Sequence, residues 1–471
     1  MTDRQPDVVV IGAGPAGLAA AGTAAQHGLH VTLLDEQPEA GGQIYRTLSS
    51  APPALRSILG SDYLAGESLF EALNEVGVTY VPDATVWQIE AGSSVFYSSG
   101  GNAFRLASQQ VIIATGAIER AMPFAGWTKP GVMTAGAAQI LLKTSAVVPD
   151  GKVVLAGNGP LLLLLASQYL RAGVEISAIV DTTDPANRLS AAPLLPKALL
   201  APEYLWKGFK LILETRRANL RNYVNATKLK ALGESKVEAF EFYVGGQRHQ
   251  VDCDTLIVHQ GVVPNVQMSR ALGVEHTWNE RNRCWDPVTG VYGETNVEGV
   301  VLAGDGQGIG GAQAAAYRGE LAGLFVASQA DKLESAALKR LGAGARDAAN
   351  RQLAIRPFLD ELYRPSDEFL KPSDETLVCR CEEVSAGDIR EFAALGALGP
   401  NQAKAYGRCG MGPCQGRVCG LVVSEVLADA LNTSPSEVGY YRIRPPIKPV
   451  TLGEVASLDD SDGLAETGRM L

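Results

Sequence analysis

The sequence predicts an α/β fold with two dinucleotide-binding units, followed by a small α-rich domain with many cysteines. The first unit is indicated by a buried strand at residues 7–11 that runs directly into Gly12-Ala-Gly-Pro-Ala-Gly17. A second strand, glycine-rich turn and helix begin at Lys152. Five of the seven cysteines lie between Cys379 and Cys419. A chain of 471 residues is long enough for about three domains.

The composition excludes several classes of function. The 41 basic and 51 acidic residues give a formal charge of -10, and no basic stretch predicts nucleic-acid binding. The N-terminus lacks the pattern of a signal peptide, and the longest apolar stretch, 159–166, is too short to cross a bilayer. We therefore expect a cytoplasmic protein without a transmembrane helix, in which clustered thiols bind metal more often than they form disulfides.

Each glycine of the first turn has a physical reason. Gly12 permits the tight turn, Gly14 lets a pyrophosphate approach the backbone, and Gly17 lets the helix pack closely on the strand. The N-terminus of the following helix then points at the phosphates. Asp35 follows the second strand, where a carboxylate accepts hydrogen bonds from ribose hydroxyls. The first unit therefore predicts a bound nucleotide.

The second unit lacks one of these glycines, since Leu162 stands where Gly17 stands in the first unit. The helix cannot approach its strand as closely there, so a vestigial site and a working NAD(P) site both stay open. Two further apolar strands end in small residues, one at Gly116 and one at Gly304 and Asp305. An acid at a strand end with a helix N-terminus behind it suits a contact to the ribityl-phosphate part of a flavin nucleotide.

The cysteine spacing predicts a metal centre. Cys379 and Cys381 form a C-x-C pair, and Cys414 and Cys419 form a C-x4-C pair. Four thiolates from two such loops can hold a [2Fe-2S] cluster. Four cysteines also satisfy tetrahedral zinc, although zinc sites usually favour C-x2-C pairs, so zinc stays open as the alternative. Cys409 has an awkward spacing and is left outside the ligand set.

Several stretches resemble the alpha subunits of heteromeric flavin-dependent amine dehydrogenases. They are DVVVIGAGPAGLAAAGTAAQHGLHVTLLDEQPEAGGQ, VIIATGAIER, PGVMTAGAAQ and VLAGDGQGIGGAQAA. That group includes opine oxidases, hydroxyproline and proline dehydrogenases, hydrogen cyanide synthase and the large subunit of heterotetrameric sarcosine oxidase. The C-terminal CRCEEVSAGDI and RCGMGPCQGRVC resemble the bacterioferritin-associated-ferredoxin-like (BFD-like) [2Fe-2S] domain. The resemblance covers nearly the whole chain.

The resemblance implies a flavoprotein fold with two dinucleotide-binding domains, FAD- and NAD(P)-type, and a BFD-like domain. The implied parts are an FAD domain at 1–145 and 250–330, a degenerate NAD(P)-type domain at 146–249, a helical linker at 331–375, a [2Fe-2S] domain at 376–440 and a Pro-rich tail at 441–471. The implied FAD-binding residues are Gly12, Gly14, Ala16, Gly17, Asp35, Glu36, Gly42, Gln43, Val86, Ala114, Thr115, Gly116, Gly304, Asp305, Ala312 and Gln313. The implied cluster ligands are Cys379, Cys381, Cys414 and Cys419. No catalytic residue is implied.

The resemblance also implies partners. A beta subunit built like D-amino-acid oxidases, with its own FAD, would oxidise the carbon–nitrogen bond of a secondary amine or imino acid, such as an opine or hydroxyproline. This chain would pass the electrons to a quinone-like or dye acceptor. The resemblance leaves room for a small third subunit, an FMN between the subunits and association with a membrane.

Three other functions are compatible with parts of the sequence. An NAD(P)H-dependent flavin reductase would use the second unit as its hydride entrance, and a hydrogen cyanide synthase subunit would serve glycine oxidation. A mainly structural subunit would hold NAD or ATP passively in the first unit. Disulfide reductase chemistry is excluded, because no C-x2-C or C-x4-C pair precedes Cys414.

Overall fold

The computed structural model describes residues 5–90 and 94–458. The end of the predicted tail, 459–471, lies outside the described residues. The chain begins with a parallel sheet and its helices. The first elements are β1 (Val8–Ile11), α1 (Pro15–Gln26), β2 (Val31–Leu34), α2 (Pro53–Leu59), α3 (Ser61–Leu64), a 3₁₀ helix (Glu67–Asn74), β3 (Val78–Val81), β4 (Thr85–Glu90), β5 (Ser94–Ser99), β6 (Asn102–Ala107), β7 (Gln110–Ile113) and β8 (Ala117–Glu119).

The chain then forms a second sheet. The elements of this part are β9 (Val132–Thr134), α4 (Ala135–Ser145), β10 (Val153–Asn158), α5 (Pro160–Arg171), β11 (Ile176–Asp181), α6 (Pro185–Ala191), a 3₁₀ helix (Ala192–Leu194), α7 (Leu195–Ala198), α8 (Pro202–Arg217), β12 (Arg221–Val224), β13 (Thr227–Leu232), β14 (Ala239–Val244), β15 (Gln247–Asp252) and β16 (Thr255–Gln260). Before the last strand of that sheet, three antiparallel strands (β13 to β15) form a separate small sheet.

The chain then returns to the first sheet and continues into helices and the cysteine-rich region. The elements of the return and of the linker are β17 (Val262–Pro264), α9 (Gln267–Ala271), β18 (His276–Asn279), β19 (Cys284–Pro287), β20 (Val300–Leu302), a 3₁₀ helix (Gly304–Gln307), α10 (Ala312–Gln329), α11 (Ser335–Leu353), α12 (Arg356–Leu362) and α13 (Asp367–Leu370). Those of the cysteine-rich region are β21 (Leu377–Cys379), β22 (Val384–Ser385), α14 (Ala386–Ala394), α15 (Pro400–Gly407), α16 (Gly420–Ala430), α17 (Pro435–Val438) and α18 (Leu452–Ala456).

Two five-stranded parallel sheets form the framework. The first has the order β20-β7-β1-β2-β3 and the second has the order β12-β11-β10-β16-β9. All four residues of β1 are buried, as expected for a parallel strand covered on both faces. The antiparallel pair of β8 with β17 lies between the two sheets along the chain. The predicted α/β fold with two dinucleotide-binding units is confirmed.

The second sheet extends past the predicted bounds of 146–249 at both ends. The strand β16 pairs with β10 in its centre, and β9 pairs with β16 at its edge. Both strands are short apolar runs that look like any other buried strand in the sequence. The place of β16 is decided by its pairing with β10, and the place of β9 by its pairing with β16, which lies far away along the chain in each case.

The cysteine-rich region packs on the first sheet. One hydrophobic cluster contains Val9 and Ile11 of β1 together with Val378, Val422 and Val426 of the cysteine-rich region. A buried ion pair adds to this contact. The Arg283 Nε atom donates to Glu425 Oε1 at 2.8 Å, and Glu425 is almost fully buried in α16. A capping box begins α14, in which Ser385 and Asp388 bond to each other's backbone N–H groups.

Helix α10 crosses α1 at a distance that only small residues permit. A Cβ atom on Gly319 would lie 2.0 Å from the carbonyl oxygen of Ala16, and one on Gly323 would lie 2.7 Å from that of Ala20. Both glycines are buried. The close crossing brings the N-terminus of α10 near that of α1.

Gly319→Ala is therefore expected to destabilise the chain, although alanine favours helices more than glycine does. The added methyl group forces the two helices apart, and overpacking of this kind costs about 1–3 kcal/mol. Gly344→Ala in α11 is the matched control, since nothing lies within 4 Å of its Cβ position. That variant should gain up to about 1 kcal/mol. Thermal and urea unfolding of both variants measure this, and equal shifts in the same direction would contradict the packing.

Candidate functional site

The first glycine-rich turn joins β1 to α1 through backbone contacts that only glycine allows. A Cβ atom on Gly17 would lie 1.7 Å from the carbonyl oxygen of Gly12. One on Gly12, whose φ is +102°, would lie 2.6 Å from the carbonyl oxygen of Ala114. Three backbone segments therefore meet at the carboxyl edge of the first sheet without side chains between them.

The loop after β2 lies across this turn. A Cβ atom on Gly42 would come within 2.8 Å of the Gly14 Cα atom. The Gly41 N–H donates to the Ala13 carbonyl oxygen at 2.8 Å. Among the described side chains none caps the first turn of α1, so its N–H groups keep their capacity to bind an anion.

Asp35 is tied to the turn rather than left at the surface. Its Oδ2 atom accepts the Ala13 N–H, and its Oδ1 atom accepts the Gln37 N–H at 2.8 Å. The Asp35 carbonyl oxygen accepts the Ala84 N–H at 2.8 Å. This last bond brings the start of β4, and with it the buried Val86, beside the predicted ribose-binding acid.

The predicted residues at the other end of the site surround the N-terminus of α10. The Asp305 Oδ1 atom accepts the N–H groups of Gly310 and Gly311 at 2.8 and 3.0 Å. A Cβ atom on Gly304 would lie 2.6 Å from the Ala16 Cβ atom, which joins this end to α1. No described side chain caps α10, which begins at Ala312 and Gln313. Both helix N-termini therefore open on the same edge of the sheet.

The strand β7 leads into Thr115 and Gly116, which complete this edge. The Gly116 carbonyl oxygen accepts the Asn265 N–H at 3.0 Å, just beyond β17. Nothing lies within 4 Å of the position of a Cβ atom on Gly116, and its φ is +64°. The structure thus gathers the predicted nucleotide-binding residues along one edge, from Val86 to Gln313.

Arg46 belongs to this region although the sequence analysis did not select it. Its guanidinium donates to Gln37 Oε1 at 2.5 Å, while its Nε atom is buried without a partner among the described residues. Burial lowers the pKa of Arg46, and the charges of Asp35 and Glu36 oppose this. An unpartnered cationic donor beside the turn fits an anionic ligand. Its position three residues after Gln43 was the only signal in the sequence.

Lys143 fixes the loop that carries Gln43. Its ammonium group donates to the carbonyl oxygens of Gln43 and Ile44 at 2.8 and 2.9 Å, and to Gln139 Oε1 at 3.1 Å. Burial lowers the pKa of Lys143 to about 7. Since Lys143 lies on α4, it links the second unit to the nucleotide loop of the first. A lone lysine in an otherwise apolar helix was the available signal.

The second glycine-rich turn packs on the neighbouring strand as the first one does, but here the ring of His259 also lies beside it. A Cβ atom on Gly157 would lie 1.9 Å from the His259 carbonyl oxygen, and one on Gly159 would lie 3.6 Å from the His259 ring. The His259 Nδ1 atom is 2.5 Å from Glu119 Oε1. The other carboxylate oxygen of Glu119 accepts the Gly136 N–H at 2.7 Å. Leu162 is buried in α5, at the position where the first unit has glycine.

The segment after α12 covers the carboxyl edge of the second sheet. The Asn158 Nδ2 atom, at the end of β10, is 3.5 Å from the Tyr363 carbonyl oxygen. The Asn187 Nδ2 atom donates to the Arg364 carbonyl oxygen at 3.0 Å. Burial raises the pKa of Tyr363, and the nearby charges of Asp181 and Arg188 also influence it. The segment therefore lies between β10 and α6. Dinucleotides bind at this edge in open α/β sheets.

The four predicted cysteine ligands meet in two pairs. Contact with Cys419 lowers the pKa of Cys379 to about 6. Cys381 is likewise in contact with Cys414. Cys379 ends β21, Cys381 follows before β22, Cys414 lies in the turn before α16, and Cys419 directly precedes α16. Cys409 is fully buried and bonds to the hydroxyl of Tyr441.

Backbone N–H groups surround these sulfurs. The backbone N–H groups of Gly410, Glu382 and Cys381 face the Cys379 sulfur and, after Cys419, contribute to lowering the pKa of this thiol. Amide donors of this kind stabilise thiolates that bind iron, so the donor set fits a thiolate-bound cluster. Within residues 5–90 and 94–458, however, no group of three or more cysteine, histidine or acidic side chains has the arrangement of a finished metal site.

Contacts near Glu36 join the cysteine region to the nucleotide edge. The Lys448 Nζ atom is 2.5 Å from Glu36 Oε2. Arg417, between Cys414 and Cys419, donates to the Ile447 carbonyl oxygen and lies within electrostatic range of Glu36. Glu36 therefore stands between the predicted FAD site and the loop that carries two predicted cluster ligands.

Comparison with known proteins agrees with this architecture. Residues 6–319 match the family described as pyridine nucleotide-disulphide oxidoreductase, and residues 373–458 match the sarcosine oxidase A3 domain. The crystal structure of L-proline dehydrogenase from P. horikoshii has a similar fold, with a TM-score of 0.70 and 20% identity over 96% of this chain and 79% of that chain. None of the helices in the described ranges has the length and apolar character needed to cross a membrane.

Two groups of relatives extend along nearly the full length. One opine oxidase subunit, from Agrobacterium tumefaciens (strain Ach5), is 45% identical, and the match covers 96% of this chain and 92% of the relative. Hydrogen cyanide synthase subunit HcnB of Pseudomonas protegens is 29% identical over 94% of this chain and 96% of the relative. This chain, which joins a pyridine nucleotide-disulphide oxidoreductase domain to a sarcosine oxidase A3 domain, belongs to the family of the opine oxidase subunits.

Proposed function

We propose that this chain is the electron-transferring alpha subunit of a heteromeric flavin-dependent oxidoreductase that acts on CH–NH donors. Its complex oxidises the carbon–nitrogen bond of an opine such as octopine or nopaline, or of hydroxyproline or proline. The electrons pass through FAD and a [2Fe-2S] cluster to a quinone-like acceptor. The relative that supports this most is a subunit of opine oxidase and is 45% identical to this chain.

The first edge supports FAD binding through its backbone. Gly12, Gly14 and Gly17 leave the start of α1 open for a pyrophosphate, and Asp35 is held at the adjacent strand end for ribose hydroxyls. Asp305 orders the loop before α10, whose N-terminus would face the ribityl phosphate. The flavin, when bound, accepts a pair of electrons and releases them singly.

The cysteine region supports a cluster that takes up those electrons. Cys379, Cys381, Cys414 and Cys419 would hold the iron, while the N–H groups around Cys379 would stabilise the added charge. The observation that carries the proposal is the shared core of β1 and the cysteine region. Val86 of the predicted FAD site and Cys379 of the predicted cluster site both belong to this core, which supports a direct route for electrons between them.

The partner subunit would supply the chemistry on the amine. We propose a flavoprotein resembling D-amino-acid oxidases, with an FMN at the interface and a small third subunit. No catalytic residue is assigned to this chain. The relatives from opine oxidase and hydrogen cyanide synthase are themselves named as subunits, which supports a heteromeric complex.

One alternative, an NAD(P)H-dependent flavin reductase, is disfavoured by the second sheet. His259 lies against the second turn, and the segment at Tyr363 and Arg364 covers the edge where a dinucleotide would bind. The hydrogen cyanide synthase alternative is supported by relatives of only 29% identity. The third alternative, a structural subunit that holds NAD or ATP passively, differs from the proposal in the nucleotide that the chain binds.

Heating the purified chain and separating the released nucleotide by chromatography is expected to yield FAD. The Gly17→Ala variant should retain at most about one tenth as much FAD. The added Cβ atom would lie 1.7 Å from the Gly12 carbonyl oxygen and would displace the turn. Gly344→Ala is the control. Recovery of NAD or ATP in place of FAD would contradict the proposed cofactor.

Mixing the flavin-loaded chain with excess NADPH or NADH under anaerobic conditions is expected to leave the flavin absorbance unchanged over minutes. The segment at Tyr363 and Arg364 lies over the edge where the nicotinamide nucleotide would bind, so we expect no hydride transfer from it. Dithionite, added afterwards, should bleach the flavin and serves as the control. Prompt bleaching by either nicotinamide nucleotide would favour the reductase alternative.

Cys379→Ser and Cys414→Ser are expected to remove most of the iron and labile sulfide from the chain, since each removes one thiolate from a contacting pair. Cys253→Ser is the control, because Cys253 is buried in the second domain, away from the cysteine pairs. Metal analysis and electron paramagnetic resonance after reduction measure the outcome. Stoichiometric zinc without sulfide in the wild-type chain would overturn the cluster.

A further inference from the structure

Tyr441, the first residue of the predicted Pro-rich tail, is buried among the cysteines. It is 1% exposed and belongs to the hydrophobic cluster that contains Cys379, Cys409 and Cys419. Its hydroxyl oxygen lies 3.8 Å from the Cys419 sulfur and also bonds to Cys409. A tyrosine hydroxyl inside a hydrophobic core usually finds a hydrogen-bond partner. Here the partners are two sulfur atoms.

The ring of Tyr441 is held in this position by the loops that carry the cysteines. A Cβ atom on Gly410 would lie 2.5 Å from the Cζ atom of the Tyr441 ring, and one on Gly416 would lie 2.5 Å from its Cδ2 atom. Gly410 follows Cys409 directly, and Gly416 comes two residues after Cys414. Both glycines leave room for the ring, so close packing fixes the position of its hydroxyl.

The backbone on either side of Tyr441 is anchored as well. Asn401, in α15, donates from its Nδ2 atom to the Tyr440 carbonyl oxygen at 3.0 Å. The Oδ1 atom of Asn401 accepts the Arg442 N–H at 2.8 Å. Tyr441 therefore keeps one position relative to the cysteine loops.

The chemistry of the two sulfurs decides the direction of their hydrogen bonds. Under the proposed function Cys419 holds the cluster as a thiolate, which has no proton and can only accept. The Tyr441 hydroxyl has a single proton and therefore donates it to Cys419. Cys409 lies outside the proposed ligand set and is a fully buried thiol, so its S–H group donates to the Tyr441 oxygen.

A positive charge lies on the ring of Tyr441. The Lys404 Nζ atom is 4.6 Å from the ring centroid and within electrostatic range of Cys409 and Cys419. A cation on the face of an aromatic ring is attracted by the negative face of that ring. The hydroxyl donor and the cation therefore both favour negative charge on the Cys419 sulfur.

We propose that Tyr441 raises the reduction potential of the predicted cluster by donating a hydrogen bond to the Cys419 sulfur. The inference rests on the proposed function, because it requires a cluster on Cys379, Cys381, Cys414 and Cys419. Reduction adds one electron, taken from the reduced flavin, and no bond forms or breaks, so the hydroxyl proton stays on Tyr441. Added negative charge strengthens the hydrogen bond, and Tyr441 thus stabilises the reduced form more than the oxidised form. Tyr441 acts through Cys419 and is a positioning residue.

Tyr441→Phe tests this, because it keeps the ring and removes only the hydroxyl. The variant is expected to hold as much iron and labile sulfide as the wild-type chain. The equilibrium constant for one-electron reduction of the cluster should fall about tenfold, which is a shift of about 59 mV to more negative potential. A redox titration of the full chain, followed by electron paramagnetic resonance, measures the shift.

Tyr440→Phe is the matched control. Tyr440 is also buried, but its hydroxyl donates to the Gly416 carbonyl oxygen at 3.4 Å and so has a backbone partner instead of a sulfur. The potential of this variant should equal that of the wild-type chain.

Cys409→Ala removes the thiol that donates to the Tyr441 oxygen. This variant is expected to keep its full iron and sulfide, and its potential should shift in the same direction as in Tyr441→Phe but by less. Cys409→Ser, whose hydroxyl can still donate, should stay closer to the wild-type potential. Metal analysis and the same redox titration measure both variants.

The possible failures separate this inference from the proposed function. An unchanged potential in Tyr441→Phe with full iron and sulfide, or equal shifts in Tyr441→Phe and Tyr440→Phe, would overturn the inference alone. Loss of iron from Tyr441→Phe would do the same, since the hydroxyl would then be needed to hold the cluster. Loss of iron from Cys409→Ala would make Cys409 a ligand instead of a donor. A wild-type chain without iron and sulfide would refute the inference and the proposed cluster together.

Discussion

At the carboxyl edge of a parallel sheet, the N–H groups of the following helices and the oxygens at the strand ends need hydrogen-bond partners. How each of the two sheets meets this need determines where a ligand can bind. At the first edge glycines and small residues stand at the starts of α1 and α10, and both helices remain without side-chain caps. At the second edge the chain supplies His259 and the segment after α12. One edge is thus left for a ligand, and the other is completed by protein.

The remaining contacts hold these two edges and the cysteine region in fixed positions. Lys143 reaches from the second unit to the loop that carries Gln43. Arg283 and Glu425 pair where α16 meets the first domain, and both partners lose much of their hydration there. A buried ion pair contributes little net stability but is costly to break, so it favours one relative arrangement of the parts.

Local features were predictable from the sequence, whereas features that depend on distant pairing were not. The glycines at 12, 14 and 17, the capping box at Ser385 and the cysteine pairs follow from short spacings. The membership of β16 in the second sheet depends on pairing with β10, and that of β9 on pairing with β16, across many residues in each case. Arg46, Lys143 and the covering of β10 by Tyr363 are side-chain and loop contacts that no periodicity reveals.

The covered second edge has a further consequence for how the molecule is used. A domain that admits a diffusing dinucleotide has to expose its binding edge in every turnover. Here the linker to the cysteine region lies over that edge, and the second unit is bonded to the first through a buried ammonium group. The second unit then serves to hold the other parts in place and does not bind a diffusing nucleotide. Under the proposed function, the speed of electron transfer is then set by fixed separations rather than by domain motion.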